Sequence, residues 1–85
     1  MKVNHSLKAA IMEVMDNQIK NNDPPETSLT LKRLQKEGFS EFDARQLIGQ
    51  CVAVELFDVI KLQKPYDNER YIGHLLNLPT PPVDD

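Results

Sequence analysis

The stretch SEFDARQLIGQCVAVELFDVIK, residues 40–61, decides the fold. It contains no proline and reads as one helix of about 20 residues. Ser40 is the expected N-cap, with Phe39 stapling the first turn. Glu41 and Asp43 suit the positive end of the helix dipole. Ala44, Leu47, Ile48, Cys51, Val52 and Val59 make its apolar stripe. Its second half adds Val54, Leu56, Phe57 and Ile60, so it is apolar nearly all round. A helix of that kind lies at the centre of its fold or is covered by a partner.

Upstream, Gly38 is the usual residue for ending a helix in a left-handed turn. The helix it ends carries Leu31 and Leu34 as a buried pair, with Lys32, Arg33 and Lys36 mostly towards water. Asp23 can cap that helix, with Pro24 in its first position and Glu26 as a capping-box acid; a start near Ser28 fits equally well. The breaker Asn21-Asn22-Asp23-Pro24-Pro25 also stops a first helix. That helix runs from about Asn4 to Asn21, with Leu7, Ile11, Val14, Met15 and Ile19 at helical spacing. Downstream, Gln63-Lys64-Pro65-Tyr66 is a loop. Asp67 then caps a short helix through Asn77, whose apolar set is Tyr71, Ile72, Leu75 and Leu76, and Leu78-Pro79 ends it. The pattern predicts an all-α, compact four-helix domain over residues 1–79. The bundle leans antiparallel, with the long third helix at its centre. A flexible Pro/Asp tail follows at 80–85.

Composition narrows the function. At 85 residues the chain supports one core and leaves little room for a deep active site. A net charge of −3 provides no large basic field, so nucleic acid is an unlikely partner. The single cysteine, Cys51, excludes an internal disulfide and reads as a packed thiol in a reducing compartment. No apolar run approaches the roughly 20 residues of a membrane span, and no secretory signal is visible. A cytoplasmic protein without a membrane partner is expected.

Gln18-Ile19, Asp23-Pro24-Pro25, Arg33-Leu34, Gly38, Ala44, Cys51, Glu55, Tyr71 and Leu78-Pro79 occur here in an order that resembles a bacterial domain-of-unknown-function family, number 1841. The resemblance covers nearly the whole chain. It implies a compact helical fold and a bacterial cytoplasmic setting. Relatives often carry histidines in the first helix. The aligned positions here hold Asn4 and Lys8, so the resemblance brings no histidine-based metal site with it.

The residues themselves offer little catalytic chemistry. His5, His74 and Cys51 are not spaced as a ligand pair on one helix face, and neither a metal nor another cofactor is expected. His5 reads as a polar residue at a helix start and His74 as one flank of a half-buried face. Cys51 lies in an apolar run, the wrong setting for a thiolate nucleophile. No phosphate loop, Gly-x-Ser-x-Gly or His-Glu-x-x-His is present, and the chain is not expected to be an enzyme. The two helices around Gly38 could form a helix-turn-helix, with Arg45, Gln46 and Gln50 reaching DNA. Glu41 and Asp43 would then face phosphates, which counts against it.

Two features remain. Ala53, Leu56, Phe57 and Ile60 make an apolar arc on the third helix. Cover by the fourth helix and tail is the favoured expectation; the alternative is an interaction face for another protein or a second copy. Gln18 and Glu55 each fall in the middle of an apolar stripe, with Asp58 flanking Glu55. Polar groups there must find partners. One partly buried network is expected, joined by Arg33 or Arg70 or by the hydroxyl of Tyr66 or Tyr71. That network either fixes helix register only, or lets Glu55 and Asp58 line a cleft for a metal, a ligand or a partner's base. The leading expectation is a non-catalytic interaction or structural module, a homodimer or an accessory domain. A small metal- or ligand-binding factor and a nucleic-acid regulator are the alternatives.

Overall fold

A computed structural model describes the backbone of residues 2–82 and the side chains of residues 7–82. The expectations for the side chains of Asn4 and His5, and for the end of the tail at 83–85, lie outside the described residues. Four helices follow in order: α1 Lys2–Asn21, α2 Pro25–Lys36, α3 Glu41–Leu62 and α4 Asn68–Asn77. No strand occurs among the described residues. The all-α, four-helix reading holds, and α3 is the longest helix. Its 22 residues span about 33 Å at the α-helical rise, close to the 35 Å length of the whole molecule. Both α2 and α3 pack against all three other helices, whereas α1 and α4 do not pack against one another.

Local chemistry sets the boundaries. Ser40 Oγ accepts a hydrogen bond from the Asp43 backbone N–H at 3.0 Å, and Asp67 Oδ1 accepts one from that of Arg70 at 3.1 Å. Each cap satisfies an N–H that the first turn leaves free. At the end of α2, Gly38 takes φ +110°. Its N–H donates to Gln35 O and that of Phe39 to Leu34 O, both at 3.1 Å. This closure turns Phe39 back against the core.

The junction between α1 and α2 departs from expectation. Asn22, at φ 53°, ends α1 with the same kind of turn. Its N–H donates to Ile19 O, and the Asp23 N–H donates to Gln18 O at 3.0 Å. Asp23 closes α1 through its backbone and does not cap α2, whose N-cap position falls one residue later. Pro24, buried and extended, occupies the N-cap position without a side-chain bond, and Pro25 is the first helical residue. Nor does α2 start at Ser28. The peptide bonds before Pro24 and Pro79 are cis.

The core joins Met15 of α1, Leu34 of α2, Ala44, Ile48, Cys51 and Val52 of α3, and Tyr71, Leu75 and Leu78 from α4 onward. On α2 the inward residues are Thr27, Thr30 and Leu34, and Leu31 is only half-buried. A threonine presents a methyl group as well as a hydroxyl, so it serves an inward position wherever the hydroxyl finds a partner. The arc on α3 is not covered as expected. Phe57 is 48% and Ile60 68% exposed, while Ala53 and Leu56 are half-buried. The five-residue connection 63–67, starting from Gln63 at φ 54°, returns α4 to the side of α3 that carries Glu55 and Asp58. On the opposite side Phe57 and Ile60 stay open, whereas Gly49, three turns before Ile60, is buried beside Ile11 of α1.

Candidate functional site

Two polar clusters lie within the bundle. The first gathers around Gln18, half-buried on α1. Its Oε1 accepts hydrogen bonds from the Tyr71 hydroxyl at 2.7 Å and the Thr27 hydroxyl at 2.8 Å. The two hydroxyls are also 3.0 Å apart. Two protons cannot fill three contacts at once, so at any moment two of the three are hydrogen bonds. On the other side of the amide, Gln18 Nε2 donates to the Tyr66 hydroxyl at 3.4 Å. The cluster thus ties α1, α2, the loop before α4 and α4 itself. Burial pushes the Tyr66 hydroxyl up to about 12, against the lowering effect of the Gln18 bond. Tyr71 is also raised by burial, with the Thr27 bond opposing.

The second cluster gathers around Glu55, only 1% exposed on α3. Arg70, placed in the first turn of α4 by the Asp67 cap, lays its guanidinium over it. Nε donates to Glu55 Oε2 at 2.8 Å and Nη2 to Oε1 at 3.3 Å. Nη2 also reaches Asp58 Oδ2 in a short contact. The paired geometry is the fork-to-carboxylate arrangement that favours arginine over lysine. The hydrogen bonds to Glu55 and then Asp58 hold the guanidinium firmly protonated. Asp58 is 8% exposed, so one cation serves two buried or nearly buried carboxylates. An open cleft of about 530 Å³ lies over this trio, flanked by Lys64, Tyr66, Asp67 and Glu69. Four carboxylates and two cations face it, so the cleft favours a cationic group.

The expected single network is therefore two. No hydrogen bond joins Gln18 to Glu55 among the described residues; the clusters meet only where the Tyr66 and Tyr71 rings pack edge to face, 5.7 Å between centroids. Arg33 belongs to neither. It pairs with Glu37 at 2.8 Å and caps the Leu75 carbonyl at 3.0 Å, which fixes the end of α4 against α2. Of the residues named from sequence, Gln18 and Tyr71 come together, and Glu55 and Asp58 come together with Arg70. Thr27 was missed. Its signal was positional: residues 27, 30 and 34 share a helix face, but a hydroxyl in that pattern reads as solvent-facing.

Cys51 is fully buried, and burial followed by the charge of Glu55 pushes its thiol up to about 12. It carries no thiolate at neutral pH. His74 is half-buried, and its Nδ1 has no hydrogen-bond partner among the described residues. No group of three His, Cys, Asp or Glu is arranged to hold a metal ion among the described residues. Arg45, on the side of α3 considered for DNA, pairs with Asp16 of α1. No described helix is long and apolar enough to cross a membrane.

A second opening lies between α1 and α3. It is an apolar groove of about 300 Å³, walled by Leu7, Ile11 and Met12 and floored by Gln46, Gly49 and Ala53. It runs into the uncovered arc. Comparison with family models, curated proteins and solved structures finds no match to this chain.

Proposed function

We propose that this chain is a non-catalytic interaction module that docks through the outer face of α3. The observation that carries the reading is the exposure of Phe57 and Ile60, 48% and 68%, on the helix whose other face is the core. Scattered exposed apolar residues are ordinary. Here Phe42, 70% exposed, and the half-buried Ala53 and Leu56 share the same side, and an apolar groove adjoins them. Contiguous apolar surface of that kind is characteristic of interaction sites. The resemblance to the bacterial domain-of-unknown-function family 1841 is in keeping with a small accessory domain. A buried free thiol suits a reducing, cytoplasmic setting.

The test is affinity capture from the native cell, with the tagged chain compared with a Phe57→Ser/Ile60→Ser variant. Both residues are exposed, so the variant should keep its helix content and melting temperature. Species held by the wild type, further copies of the chain included, should be lost from the variant. If the same species bind both, the outer face of α3 is not the docking site.

A second reading is favoured by one observation, the open cleft over Glu55, Arg70 and Asp58. On that reading the domain binds a small cationic ligand there, and Glu55→Gln would abolish binding without unfolding the chain.

A further inference from the structure

We infer that the partner received on the outer face of α3 is an acidic amphipathic helix, seated on the groove between α1 and α3 and continuing over Phe57 and Ile60. The inference rests on the interaction reading above and names the partner's class.

Shape asks for a helix. The groove lies between two antiparallel helices, since Asp16 meets Arg45 and Ile11 meets Gly49. Gly49 is buried beside Ile11, so an incoming segment rides on Leu7, Met12 and Ala53 above it rather than on the α3 backbone. The groove ends at Ala53, and Phe57 and Ile60 carry the same side of α3 onward. At 100° per residue, Gln46, Gln50, Ala53, Phe57 and Ile60 fall within an arc of about 80°, and the strip from Gln46 to Ile60 is about 21 Å long. A small molecule filling the 300 Å³ groove would leave Phe57 and Ile60 in water. A helix of about 15 residues covers the whole strip. An extended segment would bring unpaired backbone groups to a surface that has no strand among the described residues to pair with them, whereas a helix satisfies its own.

Charge asks for acids on that helix. The chain carries a net charge of −3, yet Lys8 and Arg45 line the groove and no carboxylate does. Arg45 is paired with Asp16, and Lys8 makes no ion pair among the described residues. Lys61 stands on the other border, its Nζ 5.2 Å from the centre of the Phe57 ring, on the side of Phe57 away from α1. The apolar strip therefore runs between a lysine of α1 and a lysine of α3. Exposed Gln46 and Gln50 add amide donors. Carboxylates on both edges of a partner's apolar stripe would meet these groups, and a basic helix would set like charges against both lysines. Asp43 lies about 27 Å before Lys61 along α3, so the partner's acids belong over the half from Ala53 to Ile60.

Fluorescence anisotropy of the purified chain with two labelled synthetic peptides of about 15 residues tests this. One carries leucines at helical spacing with glutamates on both flanks; its twin has lysines for the glutamates. The wild type should bind the glutamate peptide at least about fivefold more tightly than the lysine peptide. Lys8→Glu/Lys61→Glu, a change at two exposed positions, should reverse that preference. Phe57→Ser/Ile60→Ser should weaken binding of the glutamate peptide at least about tenfold. A wild type that binds neither peptide, binds both alike or prefers the basic one overturns the inference, as does self-association through Phe57 and Ile60 in sedimentation equilibrium in place of peptide binding. A preference that survives Lys8→Glu/Lys61→Glu also overturns it. If Phe57→Ser/Ile60→Ser loses a captured cellular species while the glutamate peptide is not preferred, the docking face stands and the acidic helix falls. If that variant holds both the captured species and the glutamate peptide as the wild type does, both fall.

Discussion

Gln18 Oε1 accepts a hydrogen bond from the Tyr71 hydroxyl at 2.7 Å, across 53 positions in sequence. It joins α1 to α4, two helices that do not otherwise pack together. Tyr71→Phe removes that bond and leaves Gln18 Oε1 to Thr27 alone. The cost should be about 1 kcal/mol, or a drop of roughly 4–8 °C in melting temperature for a domain of this size. Gln18→Ala leaves the two hydroxyls only one another as partners, takes the donor from Tyr66, and should cost more. Urea unfolding of the two variants checks the order, and an indifferent Gln18→Ala would mean the cluster contributes nothing.

Glu55 and Arg70 should respond unequally to substitution. The Arg70 side chain is 36% exposed and can turn to water, whereas that of Glu55 is 1% exposed and cannot. Arg70→Ala therefore strands a buried carboxylate and should cost about 3–5 kcal/mol. Glu55→Gln keeps the shape and leaves Asp58 as the arginine's partner, so it should cost distinctly less. Equal losses in denaturant titrations would contradict this. A Glu55→Gln variant that stays fully stable yet loses a ligand would favour the cleft reading.

Alkaline pH should weaken the fold through Cys51 and Tyr66. Unfolded, the thiol loses its proton near 9.0 and the phenol near 10.0; folded, burial holds both to about 12. The folded chain thus binds more protons than the unfolded one between those values. Stability is fully present below about pH 9 and falls as pH rises towards 12, by about 1.4 kcal/mol per pH unit for each proton involved. Cys51→Ala should flatten the first part of that fall. Urea midpoints at neutral pH, 9 and 10.5 measure the slope, and identical slopes for the two proteins would refute the thiol's share.

Gly73 and Gly38 should give opposite results when changed to alanine. Gly73 lies inside α4, where an added Cβ meets nothing within 4 Å, so Gly73→Ala should stabilise by about 0.5–1 kcal/mol. Gly38 sits at φ +110°, a conformation that strains any Cβ, so Gly38→Ala should destabilise. Melting curves of the pair decide it.

The helices were legible because punctuation and periodicity agreed. Ser40, Asp67 and Gly38 perform the capping roles that their residue types suggest, and α3 could be read from its unbroken apolar run. Asp23 was misread because it stands where one helix closes and the next opens: its N–H closes α1 on Gln18 O, and α2 begins one residue later than expected, with Pro24 at the N-cap position. The stripe positions of Gln18 and Glu55 were readable at 100° per residue, and burial of Glu55 followed. Their separation into two clusters was not readable, since it depends on which side of α3 the short α4 reaches. The same geometry left Phe57 and Ile60 uncovered: ten residues of α4 engage one flank of a helix more than twice as long. Thr27 escaped notice because a hydroxyl looks polar until its acceptors are in place.

The packing order of the helices carries a consequence for how the domain opens. With α2 and α3 touching every other helix and α1 and α4 meeting only through side chains, either outer helix can detach without taking the other along. Backbone amides in α1 and α4 should then exchange with solvent deuterium through such partial openings. Those of α3 between Ile48 and Glu55 should wait for the whole molecule to unfold. Slow exchange would be confined to the α2–α3 hairpin, and the molecule would behave as a stable pair of helices with two hinged flaps. The Gln18–Tyr71 bond is the latch between the flaps, so Tyr71→Phe should speed exchange in both while leaving the hairpin's slowest amides limited by global unfolding.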